Sequence, residues 1–189
     1  MTEIRSNTCV ALGANLPSSA GSSRDTLVAA VAAMAERGLL IRAVSRFFTT
    51  PCYPPGTGPD YVNAAVKVAC DLAPEALLGV LHEIEASFGR ERQLRWGMRT
   101  LDLDLLMVDD VIAPDPATHD HWRDLDVAAQ RRMAPEGLIL PHPRLQDRGF
   151  VLVPLADIAP DWVHPVLRQP VSALLAALPA GDLAQIRPI

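Results

Sequence analysis

The apolar pattern predicts an α+β sandwich with helices laid on one face of a sheet, and three observations carry that prediction. Val62, Ala64, Val66 and Val68 alternate with Tyr61, Asn63, Ala65 and Lys67, which marks a strand over residues 61–69. Pro74 opens an amphipathic run with Leu77, Leu78, Leu81, Ile84 and Glu85 that stops at Gly89, which marks a helix. The segments follow one another as strand, helix, strand, strand, helix, strand, an order that builds two packed layers.

Taken in order, residues 8–12 read as a short strand ended by the Gly13-Ala14-Asn15 turn. Ser22, Ser23 and Asp25 lead into an apolar-rich helix over 24–36, closed by Gly38. Residues 39–50 fit one long strand only in part. Residues 51–60 hold four prolines and two glycines, which excludes a helix or a sheet interior and suits a loop that covers a substrate. A strand over 101–108 follows a second loop. Prolines 114, 116 and 135 bracket a polar stretch over 120–133 of helical character. A turn of helix over 154–159 and a last helix over 171–178 complete the chain. With no internal repeat and no linker, residues 1–189 are expected to form one domain.

Composition narrows the function. The chain has 49% hydrophobic and 21% charged residues, the balance of a packed globular protein. Its formal net charge of -5 supplies no broad field for nucleic acid, although a local basic patch suits a small anion. No apolar stretch approaches the roughly 20 residues of a membrane span, and the first residues lack a secretory signal. Cys9, Cys52 and Cys70 are odd in number and widely spaced, so they are expected to be reduced thiols in a cytoplasmic protein, outside any zinc or disulfide framework.

The chemistry concentrates in residues 90–104, R-E-R-Q-L-R-W-G-M-R-T-L-D-L-D. On a strand, Asp102 and Asp104 share one face while Leu101, Leu103 and Leu105 take the other. Two carboxylates ~7 Å apart on an apolar strand are costly unless neutralised. A divalent cation such as magnesium does this when phosphates complete its shell; a solvated acidic edge is the plain alternative. Arg90, Arg92, Arg95 and Arg99 lie just upstream, and guanidinium forks suit phosphate oxygens, although a solvated basic loop has the same composition. Both features together point to polyphosphate chemistry. The chain has no P-loop and no protein-kinase signature. A two-metal nuclease would use the same residue types but a wider basic surface. Downstream, Pro141 and Pro143 fix the backbone around His142, a position compatible with a ligand contact or with local structure, and Arg144 and Arg148 follow. His119, His121 and His164 read as surface or local structural residues.

The motifs L-G-A-N at 12–15, T-T-P at 49–51, P-D-Y-V-N-A-A at 59–65, I-E-A-S-F-G-R at 84–90, R-W-G-M-R-T-L-D-L-D at 95–104, P-H-P-R at 141–144 and R-G-F-V-L-V-P-L at 148–155 run in order over almost the whole chain. Together they resemble the 6-hydroxymethyl-7,8-dihydropterin pyrophosphokinases of folate biosynthesis. The resemblance implies a ferredoxin-like antiparallel sheet and the reaction of ATP with a pterin alcohol to give AMP and the pterin diphosphate. It implies that Asp102 and Asp104 hold two magnesium ions, with Arg92 and Arg99 also catalytic. Glu85, Arg90, Arg95, Trp96, His142 and Arg148 fall at nucleotide-binding positions. Thr50, Pro51, Tyr61, Asn63 and Phe150 fall at pterin-binding positions, with Phe150 the stacking ring. The implied partners are small molecules, in a chain compatible with a monomeric state.

Three departures stand out. Met98 takes the place of a common proline, Tyr53 that of a smaller aliphatic residue, and residues 113–137 replace a much shorter connection. The inserted segment is expected to be a charged surface helix, with a partner surface or a nucleotide-side lid left open. A non-catalytic binding homologue is the other reading of the whole, and the retained aspartates argue against it.

Overall fold

The computed structural model describes residues 6–52, 56, 58–89 and 99–189. The expected loops at 51–60 and 89–98 therefore lie partly or almost wholly outside the described residues, as do Tyr53 and Met98.

Strands β1 (Ser6–Ala14), β2 (Leu40–Val44), β3 (Phe48–Thr50), β4 (Tyr61–Cys70), β5 (Asp102–Val108) and β6 (Arg187–Pro188) form one sheet. Its order is β5-β1-β4-β3-β6, with β2 also paired to β4, and the pairings are antiparallel. Helices α1 (Ser23–Glu36) and α2 (Pro74–Ser87) connect the strands as the sequence pattern predicts. Ser22 and Asp25 cap α1 reciprocally, each side chain accepting the other's backbone N–H.

Alternation along β1 divides two cores. Val10, Leu12 and Ala14 point to one face, where Leu27, Ala30 and Met34 of α1 and Leu77, Leu81 and Ile84 of α2 cover them. Each leucine-sized side chain so buried contributes ~1.5–3 kcal/mol. Cys9 points to the other face, against Val151, Leu152 and Leu155 of α5 (Gly149–Ile158) and Leu174 of α6 (Val171–Ala176). The expected one-sided helical layer is thus α1 and α2, and the C-terminal elements add a second layer behind the sheet. Burial pushes the Cys9 thiol up to about 12, and all three cysteines are buried thiols outside any disulfide.

Two irregularities matter. The expected long strand over 39–50 is broken between β2 and β3 because Arg46 is drawn to α5. Its Nε and Nη2 donate to Asp157 at 2.9 and 2.8 Å, and its backbone N–H donates there as well. In β5, the partners of Cys9 and Val10 are Met107 and Leu105, so Leu106 is an extra, bulged residue. The Leu106 carbonyl accepts the His142 backbone N–H at 2.8 Å.

The inserted segment is two short helices rather than one: α3 (Pro116–Arg123), capped by Asp115, and α4 (Val127–Arg132), capped by Asp126. His121 is exposed as expected, but His119 and His164 are fully buried. Their rings meet edge-on at 5.9 Å, beside Trp162. His119 Nε2 lies 3.1 Å from the Pro141 carbonyl, and His164 Nδ1 accepts the backbone N–H groups of Val166 and Leu167. The pair therefore ties α3 to the Pro141 strap and to the C-terminal region.

Burial, the neighbouring His119 and Arg123 lower the His164 pKa to about 4; Asp120 also lies near, 3.9 Å from His119 Nδ1. The unfolded chain binds this proton below about pH 6.5, whereas the folded chain refuses it until about pH 4. Stability from this group is therefore full above pH 6.5 and is lost as pH falls toward 4. We expect urea denaturation to show a loss on the order of 3 kcal/mol across that window. His164→Asn, which keeps an acceptor for the two N–H groups, should remove this share of the dependence and leave that of His119 and His142, whose pKa values burial also lowers; an unchanged slope in that variant would refute the assignment.

Candidate active site

The site lies on the α5 side of the sheet, at the end where β1, β4 and β5 carry small and polar residues. Leu103 and Leu105 face the α1–α2 core, so Asp102 and Asp104 face the cleft, with side chains 21% and 35% exposed. Opposite them on β1 stand Gly13 and Ala11, so no bulky side chain rises between the carboxylates and the middle of the sheet. Gly13 also faces Asn63 on β4, and a Cβ at position 13 would lie 3.2 Å from Asn63 Oδ1. Asp102, Gly13 and Asn63 thus form one cross-sheet row, with the two polar residues about 10 Å apart by two strand spacings.

A cavity of about 600 Å³ opens over this row, lined by Thr50, Pro51, Tyr61, Asn63, Asp102, Asp104 and others named below. Asn63 is buried and donates from Nδ2 to Thr50 Oγ1 at 2.8 Å, which fixes its amide. Phe150 lines the mouth and is 41% exposed as a residue, and burial raises the Tyr61 phenol pKa. Gly149 lies beside Phe150, and a Cβ there would meet Ile186 Cδ1 at 2.9 Å, so that side chain would have to shift.

The acidic end carries a cationic rim. Arg99 pairs with Asp102, and Arg148 Nη1 lies 3.5 Å from Asp104 while its guanidinium sits 5.6 Å from the Phe150 ring centre. Burial opposes the charge of Arg99, but Asp102 and Asp104 outweigh it and raise its pKa. His142 is held neutral, its pKa pushed well down by burial and by Arg148 and Arg144. Its Nδ1 accepts the Arg144 backbone N–H at 3.1 Å, which leaves Nε2 to carry the proton as a donor.

Eleven of the fifteen residues singled out by the sequence fall among those described, and ten of them line this cleft. Glu85 is the exception. It is 1% exposed on α2, lines neither this cleft nor the adjoining cavity, and accepts the Leu103 backbone N–H on Oε1 at 2.7 Å. Its carboxylate binds the edge of β5 through Oε1, a backbone bond that the resemblance does not imply. Arg90, Arg92, Arg95 and Trp96 lie outside the described residues. Two residues the motifs contained were given no role. Asn15 accepts the Arg99 backbone N–H on Oδ1 at 2.8 Å and donates to Pro59 O at 3.2 Å. Arg144 lines the cleft beside His142. A buried amide closing a strand is the signal that marked Asn15.

Among the described residues no group of three or more His, Cys, Asp or Glu side chains gathers to hold a metal. Two carboxylates with hard oxygen donors still fit magnesium, which is held by one or two protein carboxylates with substrate phosphates in the rest of its shell. An acidic, arginine-rimmed end and an amide-and-aromatic end within one cleft define the class: a phosphotransferase whose acceptor is flat and polar-edged.

Comparison with known proteins makes this specific. Residues 9–160 match the family model described as 7,8-dihydro-6-hydroxymethylpterin-pyrophosphokinase. A 2-amino-4-hydroxy-6-hydroxymethyldihydropteridine pyrophosphokinase of Synechocystis is 38% identical over 157 residues, covering 82% of this chain and 68% of the relative. Its counterpart in Pseudomonas aeruginosa is 37% identical over 180 residues and covers 94% of each. A crystal structure of Plasmodium falciparum HPPK-DHPS superposes with a TM-score of 0.64 at 14% identity, over 93% of this chain and 44% of that one, a likeness of fold. The chain belongs to the 7,8-dihydro-6-hydroxymethylpterin-pyrophosphokinase family. It is an enzyme, a pyrophosphokinase that uses ATP as the diphosphate donor.

Thr50→Val removes the partner that fixes the Asn63 amide. We expect KM for the pterin to rise about tenfold, the effect of ~1.4 kcal/mol, with KM for ATP unchanged. Equal changes in both constants would show that Thr50 acts on the fold instead.

Proposed function

We propose that the cleft transfers the terminal diphosphate of ATP to 6-hydroxymethyl-7,8-dihydropterin, with the pterin lying along the Asn63 end and the polyphosphate at the Asp102–Asp104 end. The observation that carries this reading is the cross-sheet row. It sets a fixed amide and a pair of carboxylates on one surface with only Gly13 between them.

Asn63, with its Nδ2 directed by Thr50, reads the donor–acceptor edge of the pterin through its amide. Phe150 supplies a face for the ring and Tyr61 a second aromatic wall. That pose directs the hydroxymethyl group toward Asp102. The acceptor oxygen forms a bond to the β-phosphorus, the bond from that phosphorus to the α–β bridging oxygen breaks, and AMP leaves. The hydroxyl proton passes to solvent or phosphate, and no carboxylate base is assigned.

Asp102 and Asp104 would hold two magnesium ions with the phosphate oxygens, supplying charge neutralisation and a lower pKa for the acceptor hydroxyl. Arg99 and Arg148, already drawn to these carboxylates, lie within reach of the negative charge that develops on the transferred group. Neutral His142 donates from Nε2 to a phosphate oxygen. Arg90, Arg92, Arg95 and Trp96 are assigned to the nucleotide side on the motif alone. Three buried thiols, and the absence among the described residues of a helix long and apolar enough to cross a membrane, support a cytoplasmic enzyme. Because the two apolar cores share β1 and β5, we read the chain as one domain.

The test is a product assay with ATP, magnesium and the pterin alcohol, in which AMP and the pterin diphosphate are expected. ADP with a pterin monophosphate would reject diphosphate transfer. Asp102→Ala and Asp104→Ala should each lower kcat by at least ~100-fold while the thermal midpoint stays within a few degrees of the parent protein. Near-native turnover in both variants would overturn the metal assignment.

A further inference from the structure

The inserted segment forms part of the site. A second cavity, of about 210 Å³, has Trp122, Leu125, Gln130 and Met133 from the insertion on one side and Leu78 and Leu105 on the other. Ordinary ligand pockets start near ~300 Å³, so this slot admits one flat fragment and not a whole nucleotide. Asp104, His142 and Arg144 line both this slot and the larger cleft. A polyphosphate held at Asp104 therefore has two ways to extend. One leads over Gly13 to the fixed amide of Asn63, the other into a slot walled by leucines, a tryptophan and a methionine.

The insertion also reaches the junction between the two cavities. Gln130 donates from Nε2 to the Leu125 carbonyl at 2.7 Å, and its Oε1 accepts from Arg144 Nη1 at 3.0 Å. Gln130 is thus held by the turn between α3 and α4 and in turn directs a guanidinium. The helices that carry this contact are themselves fixed, α4 by its Asp126 cap and α3 by the His119 bond to Pro141.

We propose that the inserted segment is the outer wall of the base slot in the nucleotide site. Trp122 and Met133 contact the base, and Gln130 is a positioning residue that holds Arg144 toward the polyphosphate. This makes residues 113–137 a determinant of nucleotide affinity. The proposal rests on ATP being the diphosphate donor, as above.

The test compares the full-length protein with Met133→Ala, Gln130→Ala and Gln130→Glu. Met133 is 43% exposed and Gln130 half-buried, so these changes leave the core intact. ATP binding is measured by calorimetry in the presence of magnesium, beside steady-state kinetics. In Met133→Ala and Gln130→Ala, Kd and KM for ATP should rise about tenfold, equivalent to ~1.4 kcal/mol. KM for the pterin and kcat should change less than twofold. Gln130→Glu, which keeps an acceptor for Arg144, should restore most of the loss. ATP affinity within twofold of the parent in both alanine variants overturns the proposal and leaves the donor assignment standing. A parent protein that binds no ATP removes the donor assignment and the proposal together.

Discussion

A slip of one residue in the pairing of β5 with β1 would turn Asp102 and Asp104 into a core of leucines and present Leu103 and Leu105 to the cleft. Everything the site does depends on that register. β5 is an edge strand, and an edge exposes backbone donors and acceptors that invite slippage. Here they are taken up from outside the sheet. Buried Glu85 accepts the Leu103 N–H, and the Leu106 carbonyl, turned out by the bulge, accepts the N–H of His142. Glu85 therefore acts on the chemistry through the backbone that carries the aspartates. A buried carboxylate is costly unless hydrogen-bonded, and this bond both offsets the cost and fixes the strand.

The same economy holds at Asn15, where β1 ends. Its Oδ1 accepts from the backbone of Arg99, its backbone N–H donates to the Arg99 carbonyl, and its Nδ2 reaches Pro59. One buried amide thus anchors the residue that pairs with Asp102 and the segment that leads into Tyr61 and Asn63. The phosphate end and the pterin end of the cleft are referred to a single point at the end of β1, so their separation is set by the sheet.

Much of this was legible in the sequence. Period-two alternation identified β4 and β5, and the helical pattern identified α1 and α2, because each buries one face against one core. The carboxylate pair was readable from spacing alone. Three things were not. The break between β2 and β3 depends on Arg46 meeting Asp157, 111 residues away, and no local pattern records that. The burial of His119 and His164 requires two distant segments to meet, and neither segment alone records the other. The bond from the Leu103 backbone to Glu85 was the third, because a buried acid and a ligand-binding acid look the same in one dimension.

His142 shows how the site keeps its charge constant while using a titratable residue. An imidazolium there would add a cation to a rim that already holds Arg99, Arg144 and Arg148. Burial and the two nearer arginines prevent it by lowering the pKa well below the usual range. The Arg144 backbone N–H, by occupying Nδ1, also selects the tautomer. The ring therefore stays a neutral donor with its proton on Nε2 across the neutral pH range. The electrostatic complement to the polyphosphate is set by guanidinium groups, which do not titrate. A chain with an acidic overall balance can bind a highly anionic substrate because its positive charge is local, permanent and fixed by the strand edge that carries the two aspartates.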